Sequence, residues 1–334
     1  MIAEYLLVFI LSVFLIYEVR RYASSFGLVD IPNERSSHTK IIARGAGIGF
    51  IFSSLIIFIL FHCELASTYY RTLLAIFMVF VVGVLDDRHN TSPNTKFFVI
   101  FIATYLLSLD GIIIDNLGKY WGIDLSLGWL ALPFTMFAVS GFTNALNLID
   151  GLDGLSATIS IVVFSVYALI GYQYNDAFMF YLSTLLIVSL IAFLIFNWHP
   201  ASIFMGDSGS LTLGFIISVI AIKSLSYMPT VSVLFIAALP ILDTLVVMIR
   251  RKREGKSVFS PDKCHIHHVF LHFFGDNIRK TVLVLGLLQL LYSLTGMQLD
   301  KEIDEGFLLL LFVLNVYILY LFLNQMMKRQ NKKC

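Results

Sequence analysis

Long apolar segments follow one another through most of this sequence, and short polar loops separate them. Hydrophobic residues make up 58% of the chain and charged residues only 13%, so most of its apolar surface can be covered only by lipid. One crossing of a bilayer takes roughly 17–25 apolar residues. We predict an all-α polytopic membrane protein, a single integral domain over 1–334. Its eleven predicted spans are 2–19, 45–61, 72–85, 96–109, 129–146, 155–171, 178–196, 211–225, 230–249, 281–299 and 306–327.

The Lys and Arg residues are distributed unevenly between the two sides that these spans define. With the N-terminus outside, 19 of the 23 fall in the inside segments 20–44, 86–96, 250–280 and 328–334. Cytoplasmic loops are the ones that carry excess basic residues. We therefore expect the N-terminus outside and the C-terminus in the cytoplasm. The first span lacks a small-residue cleavage site, and we interpret it as a retained anchor.

Other features limit what the loops can be. The outer segment 110–128 alternates apolar and polar residues around glycines, which predicts a small β-hairpin. Cys63, Cys264 and Cys334 are far apart and odd in number, so they indicate neither a disulfide framework nor a zinc site. The basic residues are explained by topology and indicate no nucleic-acid partner. The chemistry-bearing loops all lie on the predicted inner side: 20–44, 86–96, 144–154, 197–210 and 250–280.

An acidic pair, Asp86-Asp87, stands at the inner end of the third span. Adjacent carboxylates repel each other, and both stay ionised readily only beside a cation or a metal ion. The pair is therefore a candidate for catalysis. The alternative is a solvated helix cap before Arg88.

A second motif places Asn144, Asn147, Asp150 and Asp153 at intervals of three. If the helix of the fifth span runs on, these side chains share one of its faces. Two amides and two acids beside lipid are costly without a ligand. The motif therefore predicts a binding site and not a simple cap.

The third motif is the run 206–210, Gly-Asp-Ser-Gly-Ser. It predicts the start of a helix whose N-terminal amides form an anion site. Asp207, flanked by small residues, could also reach a metal ion. A plain Ser-Gly cap is the alternative.

Basic motifs complete the predicted inner face. His265, His267 and His268 lie among Lys and Arg residues, which suits pyrophosphate better than zinc; a patch for anionic lipid is the alternative. Asp243, within the ninth span, is functional by default unless Thr244 or the backbone satisfies it. Three further basic residues precede the second span and could hold a lipid phosphate, or serve only as topological charges: His38, Lys40 and Arg44.

Taken together, Leu85-Asp86-Asp87, the Asn-x-x-Asn-x-x-Asp-Gly-x-Asp-Gly run 144–154 and the 206–210 motif resemble the polyprenyl-phosphate N-acetylhexosamine-1-phosphate transferase family. The resemblance covers about residues 30–280. Residues 259–268 resemble the branch that uses UDP-N-acetylglucosamine. The family's usual Pro-Arg-Gly-Gly-Gly run reads Ala-Arg-Gly-Ala-Gly at 43–47, and Arg-Ser-Ser-His at 35–38 resembles relatives that use fucosamine- or quinovosamine-type sugars.

The resemblance implies transfer of N-acetylhexosamine 1-phosphate, most simply GlcNAc 1-phosphate, from a UDP-sugar to undecaprenyl phosphate in the bacterial inner membrane, with UMP released. This would start a lipid-linked surface glycan such as O-antigen, with Mg²⁺ as the cofactor, for which Mn²⁺ could substitute, and the protein could form a homodimer. We expect Asp207 and Asp87 to bind the metal, while Asp86 deprotonates or orients the lipid phosphate or joins the metal shell. The other catalytic residues would be Asp150, His265, His267 and His268. The substrate-binding residues would be Asn147, Asp153, Phe204, His38, Lys40, Arg44 and Asp243.

Two other classes of protein are compatible with the composition. A secondary transporter would explain eleven spans, but its acids should lie near the bilayer midplane, whereas these lie at one predicted interface. A CDP-alcohol phosphotransferase also uses clustered aspartates, but it would need an Asp-Gly-x-x-Ala-Arg run, which the sequence lacks.

Overall fold

The computed structural model describes residues 2–31, 41–257 and 265–329, and within them the chain is almost entirely helical, as predicted. A 3-10 helix, Gly128–Leu130, leads directly into the sixth α-helix. In chain order the α-helices are α1 (Ile2–Phe26), α2 (Gly47–Phe61), α3 (Cys63–Thr68), α4 (Tyr70–His89), α5 (Pro93–Ser108), α6 (Ala131–Ile149), α7 (Leu155–Gln173), α8 (Ala177–Asn197), α9 (Asp207–Ser224), α10 (Ser232–Ile236), α11 (Ala238–Arg253), α12 (Ile266–Phe273), α13 (Ile278–Met297) and α14 (Glu305–Arg329).

Short antiparallel strand pairs lie in two of the loops. Trp121 and Gly122 both have positive φ, as expected at a two-residue hairpin turn. The predicted hairpin within 110–128 is therefore confirmed. The strands are β1 (Val29–Asp30) paired with β2 (Ile42–Ala43), and β3 (Asn116–Tyr120) paired with β4 (Ile123–Ser126).

Seven segments of the described chain are long and apolar enough to cross a membrane, and they make this a multi-pass membrane protein: 2–26, 128–149, 155–173, 177–197, 207–224, 278–297 and 305–327. The other four predicted spans also fall on helices, namely α2, α4, α5 and α11. Three of these have only 15 or 16 residues. The fourth, α4, has Arg71 in its first turn and charged residues in its last. Eleven crossings and the orientation of the chain therefore remain predictions.

The ninth predicted span, 230–249, was wrong as a continuous helix, because the chain breaks at Ala237 between α10 and α11. The buried Gln289 of α13 satisfies the backbone at this break. Its side chain accepts a hydrogen bond from the N–H of Leu239 (3.0 Å) and donates one to the carbonyl of Ile236 (2.7 Å). Broken helices are tolerated in membranes only where freed backbone groups find such partners.

Helix α9 lies at the centre of the bundle, with nearly every side chain buried. Helices α4 and α6 both pack along it. Gly83 lets α4 approach closely, because a Cβ atom at this position would lie 2.6 Å from the backbone oxygen of Asp207. The last turns of α4 and α6 consequently meet the first turn of α9, which brings two of the acidic motifs to the third.

Candidate active site

The carboxylate of Asp87 caps the start of α9. Its Oδ1 accepts a hydrogen bond from the backbone N–H of Asp207 (2.8 Å), and its Oδ2 accepts one from the N–H of Ser208 (3.0 Å). The anion site predicted at this helix start is thus filled by a side chain of the same protein. Each oxygen keeps a second lone pair, so the predicted role of Asp87 as a metal ligand stays open.

The side chain of Asp207 is held from two sides. Its Oδ1 accepts a hydrogen bond from the Asn147 amide, and its Oδ2 accepts one from the Lys96 ammonium, both at 2.9 Å. Lys96 Nζ also lies 3.3 Å from Asp86 Oδ1. One lysine therefore links two of the three predicted acidic motifs, and the third predicted motif reaches Asp207 through Asn147.

Lys96 was missed in the sequence, where it counted only as a topological charge. The short turn between α4 and α5 folds it back beside the acidic pair. The turn is held by Thr91, whose hydroxyl donates to Asp86 Oδ1 at 2.7 Å, and by Ser92, which caps α5. A lysine nine residues after the acidic pair, in the first turn of the next helix, was the available signal.

Asp150 does not continue the face of α6. The sequence interpretation placed it on that face on the condition that the helix runs on through Asp150. The helix ends at Ile149, and Asp150 has non-helical dihedral angles. Within the described residues its half-buried carboxylate has no hydrogen-bond donor. Burial first, and then the carboxylates of Asp207 and Asp87, raise the pKa of Asp150 to about 7. Asp150 is therefore only partly ionised at pH 7.

The carboxylate oxygens of Asp87 and Asp207 fit a magnesium ion as ligands. No group of three or more His, Cys, Asp or Glu side chains in the described part of the chain could hold a metal ion alone. Mg²⁺, however, takes only one or two protein carboxylates and completes its shell with water and substrate phosphates. Burial and then the carboxylates of Asp207 and Asp87 raise the pKa of Asp150, and such a cation would offset the charge of those two carboxylates.

Asp153, in the same loop as Asp150, faces a separate cavity of about 730 Å³. Its Oδ2 lies 2.6 Å from Nδ1 of His199 and accepts a hydrogen bond from the N–H of Ala201 (3.1 Å). Phe204 lines the same cavity, as the sequence interpretation requires for a nucleotide site. His199 was missed, and the sequence held no signal that would pair it with Asp153, 46 residues away.

The segment before α2 is joined to the segment before α9. The N–H of Phe204 donates to the carbonyl of Ala43 (2.8 Å), and the N–H of Ala46 donates to the carbonyl of Phe204 (3.1 Å). Arg44 lies between these contacts and donates to Asn90 Oδ1 at 3.3 Å; its buried Nε has no partner among the described residues. His38 and Lys40 fall outside the described residues.

The histidine motif begins α12, and Asp243 holds it in place. Asp243 Oδ2 lies 2.6 Å from Nδ1 of His265, and its Oδ1 accepts the N–H of Ile266 at 2.6 Å. Both oxygens of Asp243 thus bind groups of this protein. The bond from the N–H of Ile266 is the backbone alternative that the sequence analysis gave for Asp243.

The ring of His267 lies directly against Gly151, where a Cβ atom would clash with its Nε2. This contact joins the histidine motif to the loop that carries Asp150. Burial, followed by the neighbouring His268 and His265, lowers the pKa of His267 well below the usual histidine value. His267 is therefore neutral at pH 7.

An apolar groove of about 490 Å³ lies between α6, α9 and α11. At one end it is lined by Ala145 and Thr244, which lie two residues before Asn147 and one residue after Asp243 in the sequence. At the other end it reaches Leu117 and Tyr120 of the hairpin. It is therefore an apolar groove that runs from the hairpin to the helix turns that carry Asn147 and Asp243.

Residues 69–225 match the profile of glycosyl transferase family 4. The chain is also 34% identical, over 306 residues, to the probable undecaprenyl-phosphate N-acetylglucosaminyl 1-phosphate transferase of Bacillus subtilis (strain 168), covering 90% of this chain and 85% of the relative. The chain belongs to this family of polyprenyl-phosphate sugar-1-phosphate transferases.

Other members of the family are similar to nearly the same extent. The undecaprenyl-phosphate α-N-acetylglucosaminyl 1-phosphate transferase of Yersinia pestis is 30% identical over 96% of this chain and 90% of its own length. The protein of that name from Escherichia coli (strain K12) is 28% identical over 93% and 88%. The family match of this transferase contains all three acidic motifs and Lys96, whereas the histidine motif lies beyond its end at 225.

Proposed function

We propose that this transferase moves GlcNAc 1-phosphate from UDP-GlcNAc to undecaprenyl phosphate and releases UMP. The observation that carries the proposal is the meeting of Asp86, Lys96 and Asp207, with two short contacts to one ammonium group. Phosphoryl transfer is catalysed mostly by positioning and charge stabilisation. A compact group of carboxylates around one lysine supplies both.

In the proposed reaction a phosphate oxygen of the lipid attacks the phosphorus that carries the sugar. The bond from that phosphorus to the oxygen shared with the nucleotide breaks, and UMP leaves with the bonding electrons. Lys96 offsets the charge of the phosphates. Asp86, 3.3 Å from Lys96, is placed to orient or deprotonate the incoming lipid phosphate, unless it joins the metal shell.

Asp207 and Asp87 would hold Mg²⁺ in this proposal. When bound, the ion supplies charge neutralisation at the pyrophosphate and at the departing UMP. Asp87 also fixes the first turn of α9, so that Asp207 keeps its position between Asn147 and Lys96. Asp150, whose carboxylate lies near those of Asp207 and Asp87, would be a further catalytic residue.

The nucleotide would occupy the cavity lined by Phe204 and Asp153, with the aromatic ring available to stack on the base. His265, His267 and His268 would contact the pyrophosphate or the edge of the sugar. The position of His267 against Gly151 supports this, because it places the histidines next to the acidic loop. Asp243 would act here by holding His265 and not by touching the substrate.

The acceptor lipid would lie in the groove between α6, α9 and α11, with its phosphate at the end near Asn147. Arg44 with its unpartnered Nε, together with His38 and Lys40, would attract that phosphate. The positive-inside distribution supports an active site on the cytoplasmic face of a bacterial inner membrane. This face is in contact with the cytosol, where nucleotide sugars are made.

A donor screen tests this function. Purified protein in detergent receives Mg²⁺, undecaprenyl phosphate and one of several UDP-N-acetylhexosamines, and UMP is measured. We expect the fastest release with UDP-GlcNAc. Preference for a fucosamine- or quinovosamine-type donor, for which the 35–38 run is the supporting feature, would change the sugar and keep the reaction. Accumulation of a solute in sealed vesicles, with no UMP released, would support a transporter and contradict the proposal.

A further inference from the structure

The contact between Asp153 and His199 joins two loops at the cavity proposed for the nucleotide. Only Oδ2 of Asp153 is engaged, by His199 and by the N–H of Ala201. Among the described residues, Oδ1 has no hydrogen-bond donor. An ionised carboxylate is only an acceptor, so Nδ1 of His199 must carry the hydrogen. The pair of Asp153 and His199 therefore offers a ligand one fixed acceptor oxygen, Oδ1 of Asp153.

The backbone around His199 is anchored independently of this contact. Arg279 Nε donates to the carbonyl of His199 at 3.0 Å. The buried Asn197 accepts from the N–H of Gly154 (2.8 Å) and donates to the carbonyl of Ile203 (2.9 Å). Because these bonds use backbone groups and Asn197, removal of the imidazole should leave the loops in place. What it would remove is one of the two hydrogen bonds that restrain the Asp153 side chain, leaving only the bond from the N–H of Ala201.

We propose that His199 is a positioning residue for donor binding: it fixes the carboxylate of Asp153 so that the free oxygen accepts a hydrogen bond from the nucleotide. Asp153, His199 and Phe204 line the same cavity, so an aromatic face and an oriented acceptor are available to one ligand. The inference rests on the proposed function and adds a residue that neither the motifs nor the family match singles out for a role.

The test compares His199→Ala and His199→Asn in the full-length protein, using the UDP-sugar that the donor screen identifies. Loss of a hydrogen bond to a charged group should raise KM for the donor by roughly tenfold. The kcat and the KM for undecaprenyl phosphate should change by less than about threefold, since the reacting groups are untouched. His199→Asn should restore much of the donor KM, because its amide nitrogen can take the position of Nδ1.

His272→Ala is the matched control, because Nδ1 of His272 also lies close to an aspartate, Asp276 at 2.8 Å, but both side chains are exposed and neither lines the cavity. It should leave both KM values unchanged. Melting of all variants in detergent should match that of the wild type. A lower melting temperature for His199→Ala that His199→Asn does not restore would indicate a structural role and overturn the inference.

A double-mutant cycle separates positioning from direct contact. In an Asp153→Ala background, His199→Ala should have no further effect on the donor KM. Additive effects would mean that His199 acts without Asp153, and would overturn the inference. An unchanged donor KM in His199→Ala, measured while the wild type releases UMP, would also overturn the inference. This outcome would leave the proposed function intact. Absence of UMP release by the wild type with every donor would instead remove the proposed function and this inference together.

Discussion

Asp87, in the last turn of α4, accepts a 2.8 Å hydrogen bond from the backbone N–H of Asp207, the first residue of α9. The two aspartates that the sequence marks as metal ligands are thus in direct contact. One of them also has a structural task that its neighbour Asp86 does not share. This difference makes the acidic pair separable by experiment.

Asp87→Asn should lower both activity and stability, whereas Asp86→Asn should lower activity alone. Each should cost at least about two orders of magnitude in rate, or roughly 3 kcal/mol of barrier. Only Asp87→Asn removes one of the two acceptor oxygens that cap α9, which should cost about 0.5–1.5 kcal/mol of unfolding free energy. UMP release and melting in detergent measure the two effects. If both variants keep most of their activity, the pair is only a helix cap.

Lys96→Met should reduce the maximal rate by about a hundredfold, because the ammonium that offsets phosphate charge is lost. The same change leaves Asp207 and Asp86 without their cation. The Mg²⁺ concentration for half-maximal rate should therefore fall even as the rate falls. Lys119→Met, on the hairpin strand β3, is the control and should behave as the wild type. A higher Mg²⁺ requirement in Lys96→Met would contradict this assignment.

His265→Ala and Asp243→Asn should have similar effects, since each breaks the 2.6 Å contact between them. Combining them should add little to either. Donor use should weaken strongly in each case, and also in His267→Ala and His268→Ala.

Metal analysis of the purified protein distinguishes phosphate binding by the three histidines from structural zinc. Zinc near one per chain, or full activity when all three histidines are alanine, would remove the motif from the active site.

The orientation can be tested without any substrate. In a variant lacking its three native cysteines, single cysteines at His89 and Ser257 should be shielded from impermeant reagents in intact cells. Cysteines at Asp124 on the hairpin and at Ile303 should react. All four positions are exposed on the protein surface, so shielding would come from the membrane. Labelling at His89 from outside would reverse the topology and place the site away from the cytosolic nucleotide sugars.

Local patterns predicted the parts of the fold that are determined locally. The start of α9 at Asp207 and the hairpin turn at Trp121-Gly122 follow from residues adjacent in sequence. The break at Ala237 does not, because its backbone groups are satisfied by Gln289, some 50 residues away. The run-on of α6 through Asp150 was a conditional prediction that the chain did not follow.

The same distinction applies to the site. Its acidic and histidine motifs were recognisable because each concentrates costly polar groups beside lipid. Lys96 was not, because a single lysine at a membrane interface is equally well explained by topology. His199 gains its meaning only from Asp153, 46 residues earlier. Partners of this kind become visible only when the fold brings them together.

The most direct test of the central claim is UMP release from UDP-GlcNAc by the purified wild type and by Asp207→Asn, with and without undecaprenyl phosphate. A neutral amide at 207 loses the charge needed to hold Mg²⁺ against the substrate phosphates and weakens the contact with Lys96. Asp124→Asn, on the hairpin, is the matched control. We predict release by the wild type and the control only when the lipid and Mg²⁺ are present, and none by a normally folded Asp207→Asn. Near-normal release by Asp207→Asn, or release that does not depend on the lipid, would contradict the account.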